Sequence, residues 1–415
     1  MALKLISLYS GCGGMDYGFE AAGFETVAAL EFDKDCCRTL RSNRPWPVIE
    51  EDILQVPTAG ILAVANLKPR EADLLIGGPP CQPFSKAGYW ATGDSLRLKD
   101  PRAATLEAYM RVVDEALPKA FVLENVGGMI FSGKSEGLVL LEKMIADINR
   151  RRGTKYTPKY KVLKAVEFGV PQIRERFFLV AHREGQLFKF PDSTHRLAEP
   201  ESPLFPADSL EPAMTAWDAL GDLPDDPPDL ENLSVKGKWA PLLASIPEGN
   251  NYLHHTERGD GIPLFGWRRR YWTFLLKLAK NRPSWTLQAQ PGPAVGPFHW
   301  RNRRLNAREL CRLQTFPDTV TLQGSLSSIQ RQAGNAVPAL LAEVVGRDIG
   351  QQWFEHVPAT SKPVLLQSRR TAPPPPETLG KVPRSYYPLL CRETPHPGTG
   401  KGYRAAARGL PTKVS

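Results

Sequence analysis

The sequence predicts an α/β protein built on a doubly wound, mostly parallel sheet, joined by a smaller second region. Three observations predict it. Through the first 185 residues, short apolar runs alternate with stretches of helical length and spacing. Those runs are apolar on both sides, as strands covered by helices on both faces must be. From about 186 the texture turns acidic and proline-rich, then basic and aromatic, which no longer suits a βα repeat. The 415 residues, 42% hydrophobic and 23% charged, suffice for such a two-part molecule and exclude wholesale disorder.

Taken in order, a strand over 5–10 runs into Ser10, Gly11, Cys12, Gly13 and Gly14, and a helix follows over 14–22. Glycines there let the backbone approach a ligand closely, although they equally suit a plain tight strand–helix turn. The next strand, 26–32, ends on Glu31, twenty residues after Gly11, where a carboxylate reaches ribose hydroxyls. A dinucleotide fingerprint needs a third glycine at 16, and Asp16 stands there, so the pattern favours an adenosine-bearing ligand other than NAD. A helix over 34–43 follows.

The strand at 72–78 opens into Gly77, Gly78, Pro79, Pro80, Cys81, Gln82, Pro83, Phe84 and Ser85. Two prolines stiffen this backbone and fix where the thiol points. Such a thiol is either an inert small core residue or, beside positive charge or amide dipoles, a nucleophile. After a helix at 102–116, the strand at 119–126 carries Glu124 behind four apolar residues. That placement partly desolvates the carboxyl, raises its pKa and suits it to donate a proton; a solvated loop acid is the alternative. A helix at 136–151 leads to Gln172, Ile173, Arg174, Glu175 and Arg176, before a strand at 176–181. Alternate arginines on an extended segment point the same way, so Arg174 and Arg176 can face one anion or carbonyl, or serve as surface ion pairs.

Residues 197–235 hold ten acidic side chains and no basic one, and read as loop or solvated segment. Residues 261–304 hold nine Lys/Arg, no Asp/Glu and eight aromatics, a composition suited to nucleic acid. The tryptophans 267, 272 and 285 read mostly as core of a small domain, which leaves the arginines outside. Helical texture returns over 305–350. There Gly334, Asn335 and Pro338 precede a helix at 339–350, with Pro338 in its first turn. The tail after 351, with prolines 373 to 376, reads as extended or disordered.

The net charge of +9 is unevenly placed: residues 1–350 contribute +2 and the tail +7. The pI therefore does not locate a nucleic-acid site. Six cysteines form no C-x-x-C pair, so neither a zinc site nor a disulfide framework is expected. No run of about 18 apolar residues and no signal-like start occurs, which points away from a membrane and towards the cytoplasm.

Together these motifs, in order, resemble the DNA cytosine-5 methyltransferase family: LYSGCGG, Glu31, Asp52 in EEDI, GGPPCQPFS, ENV, QIRER, LNARELCRLQTFPD and GNAVP. The resemblance covers about 1–185 and 285–350. It implies the S-adenosylmethionine-dependent methyltransferase type of fold, with 1–185 and 305–350 forming one catalytic domain. Residues 186–304 would be a variable target-recognition domain, and 351–415 a basic tail adding salt-sensitive affinity for DNA. Cys81 would attack carbon 6 of a flipped-out cytosine. Glu124 would act at N3, and Arg176 with Arg174 would hold the base. S-adenosylmethionine would meet Tyr9, Gly11, Gly13, Gly14, Glu31, Phe32, Asp52, Ile53, Pro80 and Asn335. Double-stranded DNA would meet Gln82, Ser85, Arg268, Arg269, Arg270, Arg301, Arg303 and Arg304.

The family often carries Phe where this chain has Tyr9, and Trp or another large residue where it has Phe32. The resemblance further implies a bacterial modification enzyme, acting as a monomer beside a separate restriction endonuclease, with no appended regulatory domain in this length. Its branch that methylates transfer RNA is the alternative. An NAD-dependent oxidoreductase would share the βαβ start but leaves PPCQ, ENV and QIRER unexplained. A non-catalytic DNA-binding module leaves Cys81 and Glu124 without purpose.

Overall fold

The computed structural model describes residues 2–80, 103–127, 136–197, 210–266 and 271–390. Its strands in chain order are β1 (Leu3–Leu8), β2 (Phe24–Glu31), β3 (Val48–Glu50), β4 (Leu74–Gly77), β5 (Ala120–Asn125), β6 (Lys159–Lys164), β7 (Gln172–Ile173) and β8 (Glu175–His182). The helices are α1 (Gly14–Ala21), α2 (Lys34–Asn43), α3 (Thr58–Val64), α4 (Ala103–Ala116), α5 (Glu136–Arg152), α6 (Ala216–Leu220), α7 (Ala307–Leu313), α8 (Leu326–Asn335) and α9 (Ala339–Phe354). Among the described residues no helix is long and apolar enough to cross a membrane.

Seven strands form one sheet in the order β3-β2-β1-β4-β5-β8-β6, with β8 antiparallel to both its neighbours. The chain winds outward from β1 to β3, then returns to place β4 on the other side of β1. This reversal opens a crevice beyond the carboxyl ends of β1 and β4, where doubly wound sheets bind ligands. The doubly wound, mostly parallel architecture expected from the sequence is the observed one. The short β3 and the charged β6 are additions that the apolar-run criterion passes over. β6 reads KYKVLK, with only Leu163 buried.

Alternate strand residues serve two cores. Ile6, Leu8, Leu75, Phe121 and Leu123 pack against α3, α4 and α5, whereas Leu5, Leu74, Ile76 and Val122 pack against α1 and α9. Glycines set how closely α1 approaches α9. A Cβ at Gly14 would lie 2.4 Å from the Val337 carbonyl, and one at Gly18 would lie 2.3 Å from that of Ala339. Helix α9 extends to Phe354, with Pro338 as its N-cap, while Arg331 to Asn335 belong to the end of α8.

The region between β8 and α7 is mostly irregular and divides its side chains between two cores. Leu242, Leu243, Ile246, Tyr252, Leu264, Leu275 and Phe298 form a separate cluster, edged by Trp239, Phe265 and Phe274. Ala216, Ala219, Leu220, Leu287 and Trp300 instead join Leu310, Leu313 and Phe316 against Tyr17, Ala29 and Leu40 of α1, β2 and α2. Trp272 is not core: it is 47% exposed, with its ring edge-on to Trp285 at 5.6 Å.

The tail departs from a disordered extension. Residues 355–390 hold one 3-10 turn, Arg384–Leu389, yet lie packed across both parts of the molecule. Arg370 pairs with Asp222 at 2.7 Å, and its amide donates to Asp218. Glu377 pairs with Lys280 and Arg301, both at 2.9 Å. Tyr386 stacks on Trp239. The acidic stretch 197–235 and the basic tail thus partly neutralise each other, a pairing that counts of charge along the chain do not disclose.

Candidate active site

The cofactor crevice is shaped by the loop after β1. Tyr9, Gly11 and Gly13 all have positive φ, of 55°, 56° and 88°, so the chain coils tightly from strand into helix. The amide of Gly11 donates to Glu31 Oε2 at 2.8 Å, and those of Phe32 and Asp33 donate to Oε1 at 2.9 and 2.8 Å. Glu31 is buried, which pushes its pKa up, while the three amides oppose the rise. The carboxylate therefore holds the loop as well as facing the crevice. Open space lies where a Cβ on Gly11 would project, and the Phe32 ring stands 68% exposed beside it. A cradle, a buried acid and an exposed ring fit an adenosine-bearing cofactor.

The remaining expected cofactor residues divide. Asp52 is exposed and caps its own turn through the Leu54 amide. Ile53 is core, and its carbonyl accepts from Arg111. Pro80, three residues beyond β4, and Asn335, the last residue of α8, are both exposed.

Asp16, which sequence reasoning treated only as a missing glycine, is fully buried beneath the cofactor loop, and burial lifts its pKa to about 7. The folded chain then keeps a proton that the unfolded chain releases near pH 4, so this site lowers stability as pH rises from about 4 to about 7. Asp16→Asn removes that dependence. Its stability relative to wild type is expected to rise by up to ~1.4 kcal/mol per pH unit between pH 5 and 7, then level off. Chemical unfolding at four pH values from 5 to 8 measures this, and a pH-independent difference would refute it.

The reacting centre is assembled at the end of β5. Glu124 Oε1 meets Arg176 Nε at 2.7 Å, with both side chains almost buried. Burial pushes the Glu124 carboxyl up, against the pull of Arg176 and then Arg174. Two features aim this carboxyl at the turn that leads to Cys81. A Cβ on Gly78 would lie 2.7 Å from Glu124 Oε2, so only glycine lets the acid lie alongside. Asn125 Nδ2 donates to the Pro79 carbonyl at 3.1 Å. Cys81, Gln82 and Ser85 lie outside the described residues, as do Arg268, Arg269 and Arg270.

Arg174 lies near enough to act on Glu124, but it takes different hydrogen-bond partners from Arg176. Its guanidinium donates to the carbonyls of Gly334 at 2.6 Å and Leu287 at 3.2 Å, inside a fully enclosed site. It ties the end of α8 and the Leu287 backbone to the β7–β8 corner. Arg303 also departs from its expected role at DNA. It is buried and bidentate to Glu309, at 2.8 and 2.7 Å, leaving no face for a phosphate. Arg301 is half engaged by Glu377, whereas Arg304 has no acidic partner among the described residues. Sequence reasoning also missed Gln172 and Gln314, buried amides that tie β7 to α7 and α8. Gln172 stood within a quoted motif, but only the arginines there carried an evident charge signal. Among the described residues no group of three or more His, Cys, Asp or Glu could hold a metal ion.

With this geometry in place, the profile for C-5 cytosine-specific DNA methylases matches residues 3–351. The chain belongs to that family. A Type II methyltransferase of Streptomyces achromogenes, M.SacI, is 40% identical over 373 residues, covering 84% of this chain and 93% of its own. M.NgoFVII of Neisseria gonorrhoeae, also a Type II methyltransferase, is 33% identical, covering 81% and 83%. Among solved structures, a candidate DNA modification methyltransferase from an Escherichia coli prophage superposes with a TM-score of 0.60. It is 23% identical, covers 84% of this chain and 99% of its own, and shows the likeness of fold. The methylase match ends at 351, so the packed segment 355–390 lies beyond it. The fold is that of S-adenosylmethionine-dependent methyltransferases, and the DNA methylase profile with the Type II relatives favours cytosine in DNA over transfer RNA as substrate.

Proposed function

We propose that this DNA cytosine-5 methylase works through a covalent Cys81 adduct on a flipped-out cytosine, as the modification enzyme of a Type II system. The single observation that carries the mechanism is the buried Glu124–Arg176 pair, aimed across Gly78 at the turn before Cys81. Carbon 5 of cytosine is a poor nucleophile and must be activated. The Cys81 thiolate forms a bond to carbon 6 while Glu124, whose acid form is favoured by burial, supplies the proton at N3. Arg176 orients that carboxyl and lies where the base carbonyl would be held. S-adenosylmethionine, when bound, supplies the electrophilic methyl group that carbon 5 takes up. Return of the N3 proton to Glu124 and loss of the carbon-5 proton to water then expel the Cys81 thiolate and restore the ring.

For the cofactor, Glu31 would hold the ribose, Phe32 would lie against the adenine, and Asp52 would stand near its amine. The loop glycines leave room for the methionine part beside Asn335. A base inside a duplex cannot meet Cys81, so flipping, at a cost of a few kcal/mol, is required. Of the arginines proposed for DNA, Arg304 and the run Arg268 to Arg270 remain in that role, and Arg303 leaves it. The Type II names of the relatives support a restriction endonuclease acting separately on the same sequence.

The test is transfer of labelled methyl to duplex DNA and to transfer RNA by wild type and Cys81→Ala. Wild type is expected to label duplex DNA only, and Cys81→Ala to lose transfer by several orders of magnitude while still binding cofactor. Transfer retained by Cys81→Ala would end the covalent mechanism.

A further inference from the structure

Strands β1 and β4 are neighbours, with Leu8 in register with Gly77, so the cofactor loop and the turn before Cys81 leave the sheet side by side. Tyr9 stands at this junction. Its left-handed backbone turns the ring into the core that includes α4. There its hydroxyl donates to the carbonyl of Thr105, in the first turn of α4, at 2.6 Å. The Thr105 hydroxyl in turn donates to the carbonyl of Pro80 at 3.3 Å. Two hydrogen bonds in series thus run from the cofactor loop, through the start of α4, to the residue that immediately precedes Cys81. Asn125 fixes Pro79 from the opposite side. Arg111, two turns further along α4, donates to the carbonyls of Ile53 and Val56, so the helix is also tied to the Asp52 turn. Burial pushes the Tyr9 phenol's pKa up, which keeps it a donor throughout any working pH. A phenylalanine would fill the same space and leave the Thr105 carbonyl without this donor.

We propose that the Tyr9 hydroxyl is a positioning group for the reacting thiol, acting through Thr105 and Pro80. This rests on the reading of Cys81 as nucleophile. The ring packs in the core beside α4, and the hydroxyl belongs to the reaction.

Two variants test it in the full chain: Tyr9→Phe removes the first hydrogen bond, and Thr105→Val removes the second while keeping the helix backbone. Each is expected to keep the dissociation constant for S-adenosylmethionine within about twofold. Each is expected to slow single-turnover methyl transfer at saturating cofactor and duplex DNA about threefold to tenfold. Because both bonds lie on one route, the double variant is expected to be no slower than about the slower single variant. A structural role alone would give no such non-additivity. An unchanged transfer rate, a cofactor affinity that falls in step with the rate, or full multiplication of the two effects would each overturn the proposal. Failure of the underlying reading is separately visible. Transfer retained by Cys81→Ala removes the premise, whereas a dead Cys81→Ala with an unchanged Tyr9→Phe removes only the role of the hydroxyl.

Discussion

Glu124→Gln is expected to lower the single-turnover rate of methyl transfer by about 10²- to 10⁴-fold, the usual worth of a positioned general acid. Glutamine keeps the shape of the side chain and can still hydrogen-bond to a ring nitrogen, but it cannot give up a proton. The effect should appear in the chemical step, because Glu124 sits at the end of β5 against Arg176 and Gly78, away from the Glu31 and Phe32 side of the crevice. Cofactor affinity measured by calorimetry should therefore change little. The pH profile provides a second readout. Burial raises the Glu124 pKa, so the wild-type rate should decline on the alkaline side as the acid form is lost. That limb should be absent from Glu124→Gln. An equal alkaline decline in both proteins would assign the proton to another group.

The largest stability effect is expected away from the chemistry, at Glu309. This carboxylate takes both guanidinium nitrogens of Arg303 with the two side chains almost wholly enclosed, and it also completes a capping box with Asn306 at the start of α7. Glu309→Gln leaves the arginine charge buried without its counter-ion, for which about 3–5 kcal/mol of destabilisation is expected. Replacing both partners by apolar residues, Arg303→Met with Glu309→Leu, should recover part of that loss, since no unpaired charge is then buried. Chemical unfolding of the three variants measures both statements. A loss below about 1 kcal/mol for Glu309→Gln would mean that Arg303 reaches water after all. The sequence recognised in DNA should be the same in any of these variants that stay folded, because Arg303 has no open face.

Much of the fold was legible in the sequence, because apolar β-runs buried on both faces leave a strong signal and β1, β2, β4, β5 and β8 all carry it. Helix α2 was legible to the residue, since Asp33 caps it in sequence as it does in space. What escaped was whatever depends on distant partners. β6 is charged and gains its place only by pairing with β8. Glu124, Arg176 and Glu31 were legible because their positions at strand ends follow from the alternation itself. The partners of Arg174 escaped because Gly334 and Leu287 come from segments that sequence spacing cannot bring near, whereas Arg303 turns to Glu309, only six residues on, once α7 is capped. The packing of the extended tail was not legible either, as its charges meet Asp218, Asp222 and Lys280 only after folding.

The close seating of Gly14 and Gly18 against the carbonyls of Val337 and Ala339 bears on how the chain is made. The helix that opens the cofactor crevice leaves the ribosome well before the helix it packs on. At about 5–20 residues per second, roughly 15–65 s of synthesis separate the two. Throughout that interval the apolar face of α1, with Met15 and Phe19, lacks its native cover. The nascent methylase therefore cannot complete the packing of α1 until synthesis has passed α9, and a chain halted between β8 and α7 would present that face to chaperones or to aggregation.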